Sequence, residues 1–554
     1  MFRIRFLSGI YILVASLLIQ GSFAQKLTFT ISAEDAIEHA FLQKIAYDTI
    51  HKDKHSLNLE VEKIGRFLKR KGYFLYETSF MEEPAGKYTV VFKLGFRVTN
   101  VHIYIPKQVH HPKRGDTLVL KTAEVEPFLE ALTRSKDREG KSFAEVSLEK
   151  FRLKDTILSA TLKVKEKKSR RVDAFIVKGY EAISKKIIRH DLNINKGALF
   201  NKEKLKEISG LTKALPFVSE IKPPEVLFTK DSTVLYIYLK KKNNNSIDGI
   251  ASFASNENSG ELLFNGMLDL KLNNILNGGE HLSILWNSVG NERQAFFFKT
   301  NIPYIFDSKL SPELQFDLYK QDSTFLNTSF HAKLSYKINN ISGISFNYSD
   351  RTSNNLKEDI TNNAVEAFDN SLYGVGYHYK NATFKYTQTA MTTLYVEVLF
   401  GTRNSVVLPT EKQTKFHMEF SKLFVLNSRN QYYLKNETGV LISDSFLNNE
   451  VYRIGGANSI RGFNEQSIFT PQYSFFNLEY RYLTSATSYL YSISDIGVAK
   501  KINNTYETLL GLGIGYLTTL NTSQINLGYV LGKSSSSTFD FSNSKLMVSW
   551  KAFF

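Results

Sequence analysis

Few residues in this chain of 554 are equipped for covalent chemistry. It contains no cysteine, which excludes thiolate nucleophiles, zinc-thiolate sites and disulfides. No Gly-x-Ser-x-Gly elbow, Gly-x-x-x-x-Gly-Lys-Ser/Thr phosphate loop or His-Glu-x-x-His zinc motif occurs. His110-His111 has no further ligand at metal spacing and reads as a solvated loop. Gly511-Leu512-Gly513-Ile514-Gly515-Tyr516 mimics a nucleotide fingerprint, but it lies among alternating strands, where tight strand packing is the better explanation. The expectation is therefore no catalytic group, no metal and no cofactor, so not an enzyme. What remains is ionic chemistry. Arg461 stands among Gly455, Gly456 and Gly462 and is followed by Phe463. A guanidinium holds carboxylates through two parallel hydrogen bonds, which sets orientation as well as charge. The glycines let a backbone turn tightly and approach a wall.

The elements around Arg461 are strands. Phe330, Ala332, Leu334, Tyr336 and Ile338 alternate with His331, Lys333, Ser335, Lys337 and Asn339, placing one set on each sheet face. Similar alternation recurs from residue 243 to the end, separated by turn signals such as Asn277-Gly278-Gly279. So many aromatics on an outward face point to a transmembrane barrel rather than a soluble sandwich. The N-terminus agrees. Arg3 and Arg5, an apolar run from Leu7 to Ile19 and Ser22-Phe23-Ala24 read as an export signal over residues 1–24, cut after Ala24. No later stretch can span as a helix, and a membrane protein without one must close its strands, because lipid leaves no backbone group a water partner. In Phe476-Asn477-Leu478-Glu479-Tyr480-Arg481-Tyr482 the apolar residues face lipid, so Glu479 points inward with Asn477 and Arg481.

Charge divides the chain. Of the formal +16, the excess sits between Gln25 and Lys242, with 43 Lys and Arg against 28 Asp and Glu; after Lys242 the counts are 25 and 26. No nucleic-acid motif accompanies the basic half, and an exported chain rarely meets nucleic acid, so anionic lipid or acidic partners are the expected contacts. Within that half a pattern of strand, helices and two strands recurs at about 70 residues. The third copy, residues 170–242, has a strand at Val172–Val177, Gly179-Tyr180, helical apolar spacing at Ile183, Ile187, Ile188 and Leu192, and two later strands. The first copy, 25–97, predicts helices near Ala33–Ile50 and Leu57–Lys71 and strands near Tyr73–Phe80 and Lys87–Leu94, with Gly72-Tyr73-Phe74 as a helix stop. The second, 98–169, departs from the pattern where Pro127 interrupts its candidate helix.

Two resemblances attach to these residues. The third copy resembles a polypeptide-transport-associated (POTRA) domain. The stretch from Arg453 to Phe463, centred on Arg461-Gly462-Phe463, resembles the Arg-Gly-Phe/Tyr loop of the BamA/TamA superfamily of outer-membrane assembly and secretion barrels. The resemblance implies periplasmic α+β POTRA repeats followed by a 16-stranded antiparallel transmembrane β-barrel over 243–554, with a loop around 451–470 folded inside it. It also implies that Asp495, in Asp495-Ile496-Gly497, meets the loop arginine, although Ile493 replaces the usual aromatic. With Glu479 inward, the expected latch is Arg461, Glu479 and Asp495, with Phe463 at the loop tip. The final strand, Lys545 to Phe554, sets Leu546, Val548, Trp550, Ala552 and Phe554 on one face; Trp550 and Phe554 match the family's C-terminal strand signal. Closure pairs this strand with Ser246–Ser255. The implied function is assembly or insertion of outer-membrane proteins by strand templating at that seam. The implied partners are nascent outer-membrane or secreted proteins, periplasmic or lipoprotein accessory subunits and outer-membrane lipids, with the N-terminal domains in the periplasm. A two-partner-secretion-type polypeptide transporter is the alternative; a passive porin would have no use for the basic repeats.

Overall fold

The computed structural model describes residues 27–554 apart from 256–261, 290–292, 323, 357–364, 386–387, 406–407, 521 and 538. The export signal and its cleavage site lie outside the described residues. The chain forms two compact units: the first holds the two N-terminal α+β domains, and the second holds the third α+β domain with the barrel.

In the first domain, Leu27–Ser32 (β1), Ile50–His51 (β2), Glu77–Glu83 (β3) and Lys87–Lys93 (β4) form a sheet in the order β2-β1-β4-β3, with β1 and β4 parallel. Helices Ala36–Leu42 (α1) and Lys54–Arg70 (α2) join Phe29, Ile31, Val90 and Phe92 in one core through Leu42, Leu57, Ile64 and Leu68. Asp53 caps α2 by accepting from Ser56 N–H at 2.7 Å, and Gly72 stops it at a φ of +100°. The first helix is shorter than its apolar pattern suggests. Ile45 and Tyr47 pack on the core from irregular chain beyond it, and β2 then pairs with β1.

The second domain comprises Asn100–Tyr104 (β5), Thr117–Lys121 (β6), Glu145–Lys154 (β7) and Ile157–Lys165 (β8), ordered β6-β5-β8-β7, with helix Thr122–Arg138 (α3). Pro127 does not interrupt α3. A proline removes one N–H from the helical ladder, and Val125, Phe128, Leu129 and Leu132 hold the apolar face on the core regardless. Lys136 is buried at the end of α3 and lies 2.9 Å from Glu166, which Lys141 also binds.

The third domain orders Ala174–Gly179 (β9), Val218–Phe228 (β10) and Thr233–Lys241 (β11) as β10-β11-β9, with helices Lys185–His190 (α4) and Lys202–Ala214 (α5). The sequence placed its first strand two residues early.

Sixteen antiparallel strands then close a barrel. They begin with Ser246–Ser255 (β12), Leu262–Asn273 (β13), His281–Val289 (β14), Arg293–Asn301 (β15), Leu310–Gln321 (β16) and Phe325–Lys337 (β17). Next come Ser342–Asn355 (β18), Phe368–Lys385 (β19), Gln388–Ser405 (β20), Glu411–Val425 (β21) and Asn430–Ile442 (β22). A loop carries the short hairpin Tyr452–Ile454 (β23) and Ile468–Thr470 (β24). The barrel resumes with Gln472–Leu483 (β25), Ser488–Lys500 (β26), Tyr506–Leu520 (β27), Ser523–Ser534 (β28) and Lys545–Phe553 (β29). Period two holds throughout: Phe330, Leu334 and Tyr336 are exposed on the outside, where lipid covers them, as are Leu546, Val548 and Trp550 of the last strand.

The Glu166 cluster has a pH signature. Hydrogen bonds from Lys136 and Lys141 hold its carboxyl below the ordinary value of 4.5. A depressed folded pKa means that the stabilisation is fully present above the unfolded value and is lost as pH falls through the folded one. The melting temperature of the first unit should therefore fall as pH drops below 4.5, and Glu166→Gln should flatten that acid limb in melts followed across pH.

Candidate functional site

The loop from Asp444 to Pro471 enters the barrel because its backbone can bend where it must and its charges find partners inside. Gly455, Gly456 and Gly462 all sit at positive φ, at 111°, 105° and 93°, a region closed to most side chains. Arg461 then spans two wall strands. Its Nε donates to Asp495 Oδ2 at 2.8 Å and Nη2 to Asp495 Oδ1 at 2.6 Å, a two-pronged contact with β26. Nη1 donates to Glu479 Oε1 of β25 at 2.5 Å, and the Arg461 backbone N–H adds a third bond to Asp495 at 2.9 Å. Glu479 also accepts from Arg481 Nε at 2.8 Å, so two cations face two anions. The Asp495 side chain is 0 % exposed, and those of Arg461 and Glu479 are 8 % exposed. Phe463 packs beside Ile454, Ile460, Tyr473, Phe475, Ala499 and Leu509. The structure thus brings together all three charged residues expected from sequence, with Asn477 also inward, donating to Ser459 C=O at 3.0 Å.

The wall is shaped for this backbone. A Cβ on Gly511 would fall 2.3 Å from the Arg461 carbonyl oxygen, and one on Gly532 would fall 2.2 Å from that of Gly462. Gly515 lies under the Tyr491 ring, which a Cβ would meet at 2.3 Å. The glycine run of β27 therefore makes lumenal room for the loop and for Tyr491. Close packing between strands, the sequence-based explanation, accounts for Gly513, whose Cβ would strike the Tyr529 carbonyl of β28.

A second anchor was not anticipated. Arg403 of β20 is 0 % exposed and donates through Nη1 to Glu450 Oε1 at 2.9 Å and through Nη2 to Ser445 Oγ at 2.9 Å, with Glu411 at 3.3 Å. Glu450 also accepts from Gln413 Nε2 at 3.1 Å and from the Leu447 N–H at 3.0 Å. Further contacts carry the loop across the lumen: Arg453 lies 3.4 Å from the Tyr319 ring centre on β16, and Arg293 of β15 donates to the Glu465 carbonyl at 2.7 Å. The inward parity of Arg403, shared with Leu399 and with Gln413 opposite Gly401, was the available signal.

The seam contrasts with these anchors. Among the described residues, β12 and β29 pair only at Ser246↔Phe553 and Ile247↔Ala552, supplemented by Phe554 N–H donating to Asn245 C=O at 3.1 Å. On their other sides both strands are fully engaged: β12 pairs with β13 from Ser246 to Ser255, and β29 with β28 from Lys545 to Ala552. Long stretches of each described seam edge thus have no partner in the ladder.

Architecture and loop together define a closed barrel of sixteen antiparallel strands preceded by POTRA-like α+β domains. No family model and no curated protein matches the sequence. Among solved structures, CdiB from Acinetobacter baumannii is similar at 15 % identity, covering 82 % of this chain and 90 % of its own, with a TM-score of 0.52. CdiB from Escherichia coli matches at 15 % identity, 90 % and 97 % coverage and a TM-score of 0.50. BamA from Haemophilus ducreyi lacking POTRA domains 1-3 matches at 14 %, 80 % and 96 %, with a TM-score of 0.46. At these identities the likeness is one of fold.

Removing one member of a buried charge set leaves the others uncompensated, at a cost of about 3–5 kcal/mol. Arg461→Ala should release the loop tip, making a cysteine placed at Ile460 reactive to a water-soluble maleimide that does not label it otherwise. Gly511→Val should expose the same position with every latch charge intact, by occupying the space of the Arg461 carbonyl. Labelling unchanged in both variants would show that the wall contact is dispensable.

Proposed function

We propose that this protein is an outer-membrane assembly factor that inserts client β-barrel proteins by templating their strands at the β12/β29 seam. Its N-terminal domains stand in the periplasm and receive clients or accessory subunits. The observation that carries this reading is the seam, which among the described residues pairs at two rungs where neighbouring strands pair at eight or more. An unpaired strand edge binds an extended chain through backbone hydrogen bonds with little regard to its side chains. Each net rung is worth about 0.5–1.5 kcal/mol, so opening two is within reach of a client that supplies replacements. The client's own burial of apolar surface and completion of its ladder drive the process, and no bond-breaking chemistry is required.

Passage of a polypeptide through the lumen is the competing use of the same fold. It would require the loop to leave the Arg461 and Arg403 anchors, each a buried ionic set, whereas seam opening leaves both intact.

The test is a tether across the seam. Cysteines at Ile247 and Ala552, which lie opposite each other, should oxidise to a disulfide and block client insertion until a reductant is added. Full insertion by the oxidised protein rejects the seam mechanism. Crosslinkers on β12 and β29 that capture nascent barrel strands would support it, while a soluble exported protein caught against lumenal residues would favour secretion.

A further inference from the structure

The edge of the barrel next to the third α+β domain carries a feature that the latch and seam do not use. Helix α4 bridges two barrel turns. At its start, the Ser184 N–H donates to Asn277 C=O at 2.9 Å, and the Tyr180 hydroxyl lies 2.5 Å from Asn277 Oδ1 and 2.9 Å from Asn274 Nδ2. At its end, Arg189 pairs with Asp307, and the His190 ring stacks on Tyr304 with centres 4.6 Å apart. Lys337 Nζ joins Asp191 and the Tyr304 hydroxyl at 2.7 Å each. These contacts clamp a turn in a costly conformation: Tyr304, Phe306 and Asp307 all adopt positive φ, at 58°, 52° and 57°. Bulky residues seldom occupy that region, and such strain persists only where surrounding contacts enforce it.

The enforced turn displays a large apolar side chain. Tyr304 is buried, while Phe306 is 92 % exposed, and on the neighbouring turn Leu276 is 79 % exposed. Ile302, 51 % exposed, continues the outward parity of Phe296, Phe298 and Thr300, so the outward face of β15 reaches this edge. The acids here are consumed internally except Glu181, an exposed residue just before α4 that Lys185 and Lys186 outnumber. Glu280 accepts from the backbone N–H groups of Leu276 and Gly278, Asp307 is taken by Arg189, and Asp191 by Lys337. Among the described residues Lys185 and Lys186 of α4 make no ion pair, leaving unspent positive charge on the bridging helix. Projecting apolar tips beside free lysines, at the end of a lipid-covered wall, match the chemistry of a phospholipid leaflet with anionic headgroups.

We propose that the two turns bearing Leu276 and Phe306 form a membrane anchor whose apolar tips enter the leaflet on the side of the third α+β domain, while Lys185 and Lys186 hold its anionic headgroups. The third domain is thereby fastened to the bilayer as well as to the barrel. This reading requires a lipid-embedded barrel but not the seam mechanism.

The test uses the full chain, whose lack of cysteine permits single fluorophores at Leu276→Cys, Phe306→Cys and, as a lipid-facing reference, Ile514→Cys. Each protein is reconstituted into phosphatidylcholine vesicles with brominated acyl chains, with or without phosphatidylglycerol. The expected result is strong quenching by bromolipid at 276 and 306, as at 514, and weak quenching by dissolved iodide. Phosphatidylglycerol should raise the bromolipid quenching in the parent, and Lys185→Glu with Lys186→Glu should abolish that rise. Quenching at 276 and 306 by iodide alone would place the tips in water, and protection from both quenchers would place them under protein; either overturns the anchor. A phosphatidylglycerol effect that survives the charge reversal overturns the role of the lysines. Because no client is present, failure here leaves the seam test untouched.

Discussion

A guanidinium and two carboxylates can leave water only if each finds the others at hydrogen-bond distance. That requirement at Arg461 organises much of the barrel half of the chain. It demands that Glu479 and Asp495 project inward from adjacent strands, that the loop backbone come close enough to donate its own N–H to Asp495, and that nothing stand in the way. Strand alternation meets the first demand, the left-handed glycines the second, and Gly511 and Gly532 the third. Arg481 completes the set by balancing the second carboxylate, so the cluster is neutral as a whole.

The strength of the wall is unevenly distributed around its circumference. Strands β19 and β20 pair continuously from Phe368↔Ser405 to Lys385↔Gln388, and the loop adds cross-lumen contacts to β15, β16, β20, β25 and β26. The weak point is where the chain's first and last barrel strands meet. A barrel held from within, yet loosely joined at one line, can yield locally without losing its form.

Much of this was legible because period two is a strong signal. The inward position of Glu479 and Asn477 follows from the apolar residues on either side, and the outward face of the last strand from Leu546, Val548 and Trp550. Asp495 was identified through a motif, not through alternation. Arg403 and Glu450 were missed because their pairing joins a strand to a distant loop, and neither carries a local mark such as flanking glycines. The early end of α1 escaped notice because Ile45 and Tyr47 continue an apolar pattern while packing from non-helical chain. Pro127 misled in the opposite direction, since tertiary burial of one helical face outweighs a single lost hydrogen bond. Nothing local to Phe306 announces its left-handed backbone, which lies between Tyr304, held by Asp191 and Lys337, and Asp307, held by Arg189.

The contacts of Gly462 with Gly532 have a bearing on how this molecule is itself made. The loop precedes β25 to β28 in the chain, and part of what it rests on, at Gly511 and Gly532, is the backbone of strands that emerge later. A finished cylinder would offer the loop entry only through its mouth, past the side chains that line it. Wrapping the last strands around a plug already in place avoids that obstacle, and it leaves the first and last strands to meet as the concluding act.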